Sequence, residues 1–141
     1  MAIILDTCVV SEPTRLVPDP RVREWMTAQS ADSLYITATV VGEIADGIER
    51  MQAGARRSAF ETWLDRLIAV DFANRILPFD TAAARLYGRL IAGALAQGRP
   101  SQMGDAQIAA VARKHGMAVA TRNLRDFEVF GIPLLDPWRG A

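Results

Sequence analysis

Cysteine, lysine and histidine are nearly absent from this sequence: Cys8, Lys114 and His115 are the only ones in 141 residues. A lone cysteine excludes an internal disulfide, and one Cys with one His cannot furnish a structural zinc site or a thiol-exchange pair. Net charge is missing as well, since sixteen Lys and Arg offset sixteen Asp and Glu. No overall positive field gathers nucleic acid, so such a substrate must be held by a local patch or through bound metal. No uncharged apolar stretch approaches the roughly 20 residues that cross a bilayer, and no membrane span is expected. The first apolar run has no basic segment before it and meets Asp6 too early for a signal peptide. A reducing cytoplasm is the expected location. A glycine-rich phosphate loop, internal repeats and low-complexity linkers are also lacking.

What is present is apolar material, 50% of the chain, enough for the core of one domain spanning 1–141. Ala2–Leu5, Leu34–Thr37, Ile76–Phe79, Met117–Thr121 and Pro133–Leu135 read as short strands, and the first lacks the alternation of a half-exposed one. Pro78 marks the third as an edge or an end. Helices are expected between them. One runs from Pro20 to Gln29 behind an Asp19 cap, and a second is capped by Thr39 and carries Val40, Ile44 and Ile48. Ala53-Gly54 breaks that helix before another built on Phe60, Trp63, Leu64, Leu67 and Ile68, a hairpin with Arg56 and Arg57 near its turn. A long helix is capped by Asp80 or Thr81. Asp105 opens an Ala-rich one that ends with Lys114, His115 and a Gly116 stop. Strands alternating with helices imply an α/β fold, a three-layer α/β/α sandwich around a mostly parallel sheet. Right-handed crossovers bring the carboxyl ends of the strands to one edge, where open α/β sheets bind ligands.

Four acids stand where a strand ends or a helix begins: Asp6, Glu43, Asp105 and Asp126. Taken singly, each has an ordinary explanation: a cap, a solvated face, a first-turn acid favoured by the helix dipole, a surface turn. Gathered at one sheet edge, they would repel one another and require a divalent cation. Mg²⁺ and Mn²⁺ prefer such oxygen ligands, and a pair of these ions activates water for in-line phosphodiester cleavage without a histidine base. Cys8 is a nucleophile candidate by position only, because no histidine stands near it to activate the thiol. A haloacid-dehalogenase-like phosphatase would carry a second Asp at that position. A receiver domain would carry a lysine late in the sheet, whereas Lys114 lies in a helix.

The segments ILDTCVVSEP, TVVGEIADGI, RILPFD, GDAQIAAVARKHG, VATRNLRDF and LLDPW together resemble PIN-domain ribonucleases of the VapC type, in the branch close to the FitB toxin. The resemblance covers nearly the whole chain. It implies a five-stranded parallel sheet and an active site of Asp6, Glu43 and Asp105, completed by Asp126 or by the Asn123 position. It further implies Mg²⁺ or Mn²⁺ held directly by Asp6 and Asp105, with Glu43 and Asp126 acting through water or at a second ion, and Thr121 and Asn123 as supports. Relatives usually have Asn where this chain has Cys8, so a polar group beside Asp6 is replaced here. The implied activity is hydrolysis of RNA by a homodimeric toxin. Its partner would be a cognate antitoxin, a small DNA-binding protein through which alone the pair meets DNA. A nuclease acting chiefly on DNA and a catalytically degenerate binding or regulatory module are the alternatives.

Overall fold

In the computed structural model, which describes residues 1–139, β1 (Ile3–Leu5) is wholly buried and lies at the centre of a five-stranded sheet of order β3-β2-β1-β4-β5. All pairings are parallel: Ile3 stands opposite both Leu34 of β2 (Leu34–Thr37) and Ala118 of β4 (Ala118–Ala120). β3 (Ile76–Leu77) and β5 (Leu134–Leu135) form the edges, β3 ending just before Pro78. Ile4, Leu5, Ile36 and Val119 are fully buried, and each such side chain stabilises the fold by about 1.5–3 kcal/mol relative to exposure.

Seven α-helices among the described residues cover the sheet: α1 (Thr7–Ser11), α2 (Pro20–Ala28), α3 (Ala38–Glu49), α4 (Ala55–Arg66), α5 (Thr81–Ala96), α6 (Met103–His115) and α7 (Leu124–Glu128). They form the outer layers of the three-layer α/β/α arrangement. Several ends match the expected chemistry. Asp19 accepts from the Arg21 amide at the start of α2, and Asp80 from the Ala83 amide at the start of α5. Gly116 takes the left-handed conformation (φ 66°) that ends α6. Arg57 is a staple of the α3–α4 hairpin, bonded to the Met51 carbonyl and paired with Glu49 and Glu61. Trp138 is buried and holds the C-terminal turn, with Arg122 over its ring.

One start differs from expectation. Thr37, the last residue of β2, caps α3 through the Val40 amide, because strand and helix join with no intervening residue. Thr39 instead donates to Gln107 Oε1 at 3.0 Å, tying α3 to α6. Helix α6 begins at Met103 and carries Asp105 in its first turn, where the helix dipole favours an acid. No helix among the described residues is long and apolar enough to cross a membrane.

Connectivity fixes where a ligand would sit. From β1 the chain proceeds outward to β2 and β3, then returns past β1 to β4 and β5. The strand order therefore reverses between β1 and β4, and such a switch point opens a crevice at the carboxyl ends of the strands.

Candidate active site

Asp6 follows β1 and Thr121 follows β4, so these two flank that crevice. Asp6 is buried, and its carboxylate is fully engaged: Oδ1 accepts from the Thr7 amide at 2.8 Å and Oδ2 from the Thr121 hydroxyl at 2.7 Å. Thr121 Oγ1 in turn accepts from the Asn123 amide at 3.0 Å, which fixes the turn leading into α7. Asn123 thus acts through its backbone. Below that turn Phe127 is fully buried and meets Phe130 edge-on at 6.2 Å, anchoring the helix that carries Asp126.

Glu43 lies one turn into α3 and is clamped from two sides. The Thr7 hydroxyl donates to Oε1 at 2.7 Å. Its other oxygen, Oε2, lies over Gly104 in the first turn of α6, where a Cβ would come within 2.8 Å. That approach requires glycine. Sequence reasoning singles out neither Thr7 nor Gly104, although a glycine in a helical turn costs about 0.5–1 kcal/mol against alanine and so flags a packing reason.

Asp105 shows what the gathering of acids does. Burial pushes its carboxyl up to about 7, and the negative charges of Asp6, Asp126 and Glu43 add to the shift in that order. Charges from four remote segments therefore meet at one half-buried group. Asp126 is exposed, yet its charge reaches Asp105, whereas Asn123 supplies only its amide. Asp105 and Asp126 also line a cavity of about 280 Å³ with Arg99, Ser101 and Arg125. Asp6 and Glu43 lie outside its lining, so Asp105 links the carboxylate group to the cavity.

The donor set suits a hard cation: all four acids offer oxygen, and the one nearby sulfur is no competitor. Burial, with Asp6 beside it, pushes the Cys8 thiol up to about 11, so it stays protonated near neutrality. Cys8 Sγ lies 3.6 Å from Asp6 Oδ2 as a weak donor. No three His, Cys, Asp or Glu side chains among the described residues close into a ready ligand set. A hard ion would rest on one or two carboxylates and keep several waters, as Mg²⁺ usually does.

Comparison with known proteins identifies the family of this fold. The model of the PIN domain matches residues 3–132. The chain belongs to the PIN-domain family. It is 40% identical over 139 residues to the VapC ribonuclease Y4jK of Sinorhizobium fredii, covering 99% of both chains. It is 34% identical over 136 residues to the toxin FitB of Neisseria gonorrhoeae, covering 96% of this chain and 98% of that one. Among solved structures, FitAB bound to an IR36 DNA fragment superposes with a TM-score of 0.90 at 34% identity, covering 96% of this chain and 95% of that one. The expected PIN-like α/β fold is thus the fold found.

Glu43's clamp gives a direct test in this PIN domain. Gly104→Ala is expected to keep or slightly raise the melting temperature, since alanine favours the helix and the crowded atom is the end of a flexible side chain. Displacing Glu43 from Thr7 is expected to lower turnover by on the order of tenfold, since a carboxylate shifted by about an ångström loses its orientation in the site. Unimpaired turnover in this variant would mean that the position of Glu43 is immaterial.

Proposed function

We propose that this PIN-domain protein is a metal-dependent endoribonuclease, the toxin of a type II toxin–antitoxin pair working in the cytoplasm. The observation that carries this reading is the meeting of acids from separate segments: Thr7 bonds through its amide to Asp6 and through its hydroxyl to Glu43, Asp105 and Asp126 line one cavity, and the charges of Asp6, Asp126 and Glu43 help raise the Asp105 carboxyl. An uncompensated negative pocket at a sheet switch point is stabilised by a cation and is otherwise costly. A Mg²⁺ or Mn²⁺ ion held by Asp6 and Asp105 would supply Lewis-acid polarisation of a phosphoryl oxygen and acidify a water.

The chain's own residues do the remaining work. Thr121 and the Thr7 amide hold the Asp6 carboxylate in one orientation. Thr7 and the bare Cα of Gly104 hold Glu43. Asp126, exposed at the cavity wall, would accept a hydrogen bond from a water at its carboxylate. Preorganised groups of this kind need no reorganisation as charge develops.

Relatives support the biological half of the proposal. One is a VapC ribonuclease, another a toxin, and the FitAB complex was solved with DNA. By the same token this chain would pair with a cognate antitoxin, a small DNA-binding protein, and meet DNA through it. It would also self-associate as a homodimer.

Single-stranded RNA and DNA of one sequence, incubated with the protein in Mg²⁺, Mn²⁺ or EDTA, test the activity. RNA cleavage that requires metal, with DNA spared, is the expected result. Cleavage of DNA in preference to RNA would overturn the RNA assignment. Cleavage of neither would leave a PIN-fold binding module.

A further inference from the structure

A chain without net charge still has to hold a polyanion next to a group of carboxylates, so the cations lining the Asp105–Asp126 cavity are informative. Two contribute, from different elements. Arg99 lies in the connection between α5 and α6, its amide bonded to the Ala94 carbonyl at 2.9 Å. Its Nη2 donates to the Arg125 carbonyl at 2.8 Å and reaches Glu128 only at 4.0 Å. A guanidinium has five donors, so most remain for a ligand. Arg125 projects from α7 beside Asp126 and is exposed. No hydrogen bond or ion pair engages its side chain among the described residues, and neither arginine pairs with Asp105 or Asp126. The cavity is therefore bipolar, with carboxylates and guanidiniums facing one space without neutralising each other.

We propose that Arg99 and Arg125 form a phosphate subsite that holds the RNA strand beside the scissile bond, an inference that rests on the ribonuclease reading above. A planar guanidinium matches phosphate oxygens with two parallel hydrogen bonds, and the Arg99 bond to the Arg125 carbonyl ties the Arg99 fork to the stretch of backbone that carries Arg125. A phosphodiester adjacent to the one under attack would be gripped here while its neighbour lies against the acids. The contact is to backbone, so it positions the strand and does not read its sequence.

Steady-state cleavage of a fluorogenic single-stranded RNA in Mg²⁺, measured over a range of salt, tests the subsite. Arg125→Ala and Arg99→Ala are each expected to raise KM by on the order of tenfold, with kcat within about twofold of wild type. Each is also expected to lower the slope of log KM against log salt by about 0.7 for the phosphate charge no longer neutralised. Arg99→Lys should recover the salt slope but only part of the KM. Arg23→Ala, an exposed arginine of α2 outside the cavity lining, should leave both unchanged. A loss of loop structure alone would raise KM without moving the salt slope, and that outcome, or an unchanged KM in Arg125→Ala, would overturn the subsite. Wild-type protein that cleaves no RNA would overturn the ribonuclease reading itself and the subsite with it.

Discussion

Asp105→Asn is expected to reduce RNA cleavage by on the order of 10²- to 10³-fold, the scale of losing one preorganised electrostatic stabiliser. Asparagine keeps the size of the side chain and removes its charge at the point where the four acids meet. Asp105 makes a cleaner test than Asp6, which has structural work to do. The Asp6 carboxylate caps α1 through Thr7 and accepts from Thr121, which itself accepts from Asn123. In Asp6→Asn, an amide turned towards Thr121 would disturb that chain of bonds, so loss of activity there would mix folding with chemistry. For Asp105→Asn, circular dichroism and melting should show an intact fold beside the lost turnover, measured with the same RNA and metal. Retention of more than a tenth of wild-type turnover would remove Asp105 from the active site.

In metal-free buffer the wild-type protein is expected to become less stable as pH rises from about 4 to about 7. The sign follows from the Asp105 carboxyl, pushed from 3.8 up to about 7 by burial and by Asp6, Asp126 and Glu43. Below the lower value both states hold the proton. Between the two values the unfolded chain releases it while the folded chain retains it, so unfolding becomes easier with every step in pH. Above about 7 both states are ionised and the loss is complete. Asp19, drawn down to about 2 by Arg21, works in the opposite sense and in a lower window, adding stability as pH rises towards 4. Water screens a half-buried group, so the expected loss is about 1–2 kcal/mol, several degrees in melting temperature. Asp105→Asn should flatten the slope and melt higher than wild type at pH 7.5. A wild-type melting temperature that rises steadily from pH 4 to 7, or a variant with the same slope, would contradict the convergence of charge on Asp105.

The parts of this protein legible in its sequence are those governed by neighbours in the chain. Asp6 is conspicuous because it interrupts a buried apolar run, Asp80 caps the helix that follows it directly, and Gly116 stops one whose last turn is basic. The order of strands and helices is enough to place Asp6 and Thr121 at one sheet edge. The cap of α3 lies two residues before the expected one because nothing local distinguishes Thr37 from Thr39; the difference is that Thr39 has a partner 68 residues away in Gln107. Thr7 and Gly104 are inconspicuous for a similar reason. Each matters through Glu43, one bonding across 36 residues and the other by having no side chain to block the approach of Oε2. Arg99 and Arg125 look like scattered surface charge until the fold sets both on the wall of the Asp105 cavity. The choice between Asn123 and Asp126 likewise depends on tertiary geometry: one offers an amide to Thr121, the other a charge felt at Asp105.

Calorimetric titration of the purified protein with Mn²⁺ at pH 7.5 most directly examines whether Asp6, Glu43, Asp105 and Asp126 make one cation-binding pocket. Saturable binding by the wild type, weakened at least tenfold in Asp105→Asn, is the expected result. Absence of binding by the wild type at millimolar Mn²⁺, or equal binding by the two proteins, would contradict it.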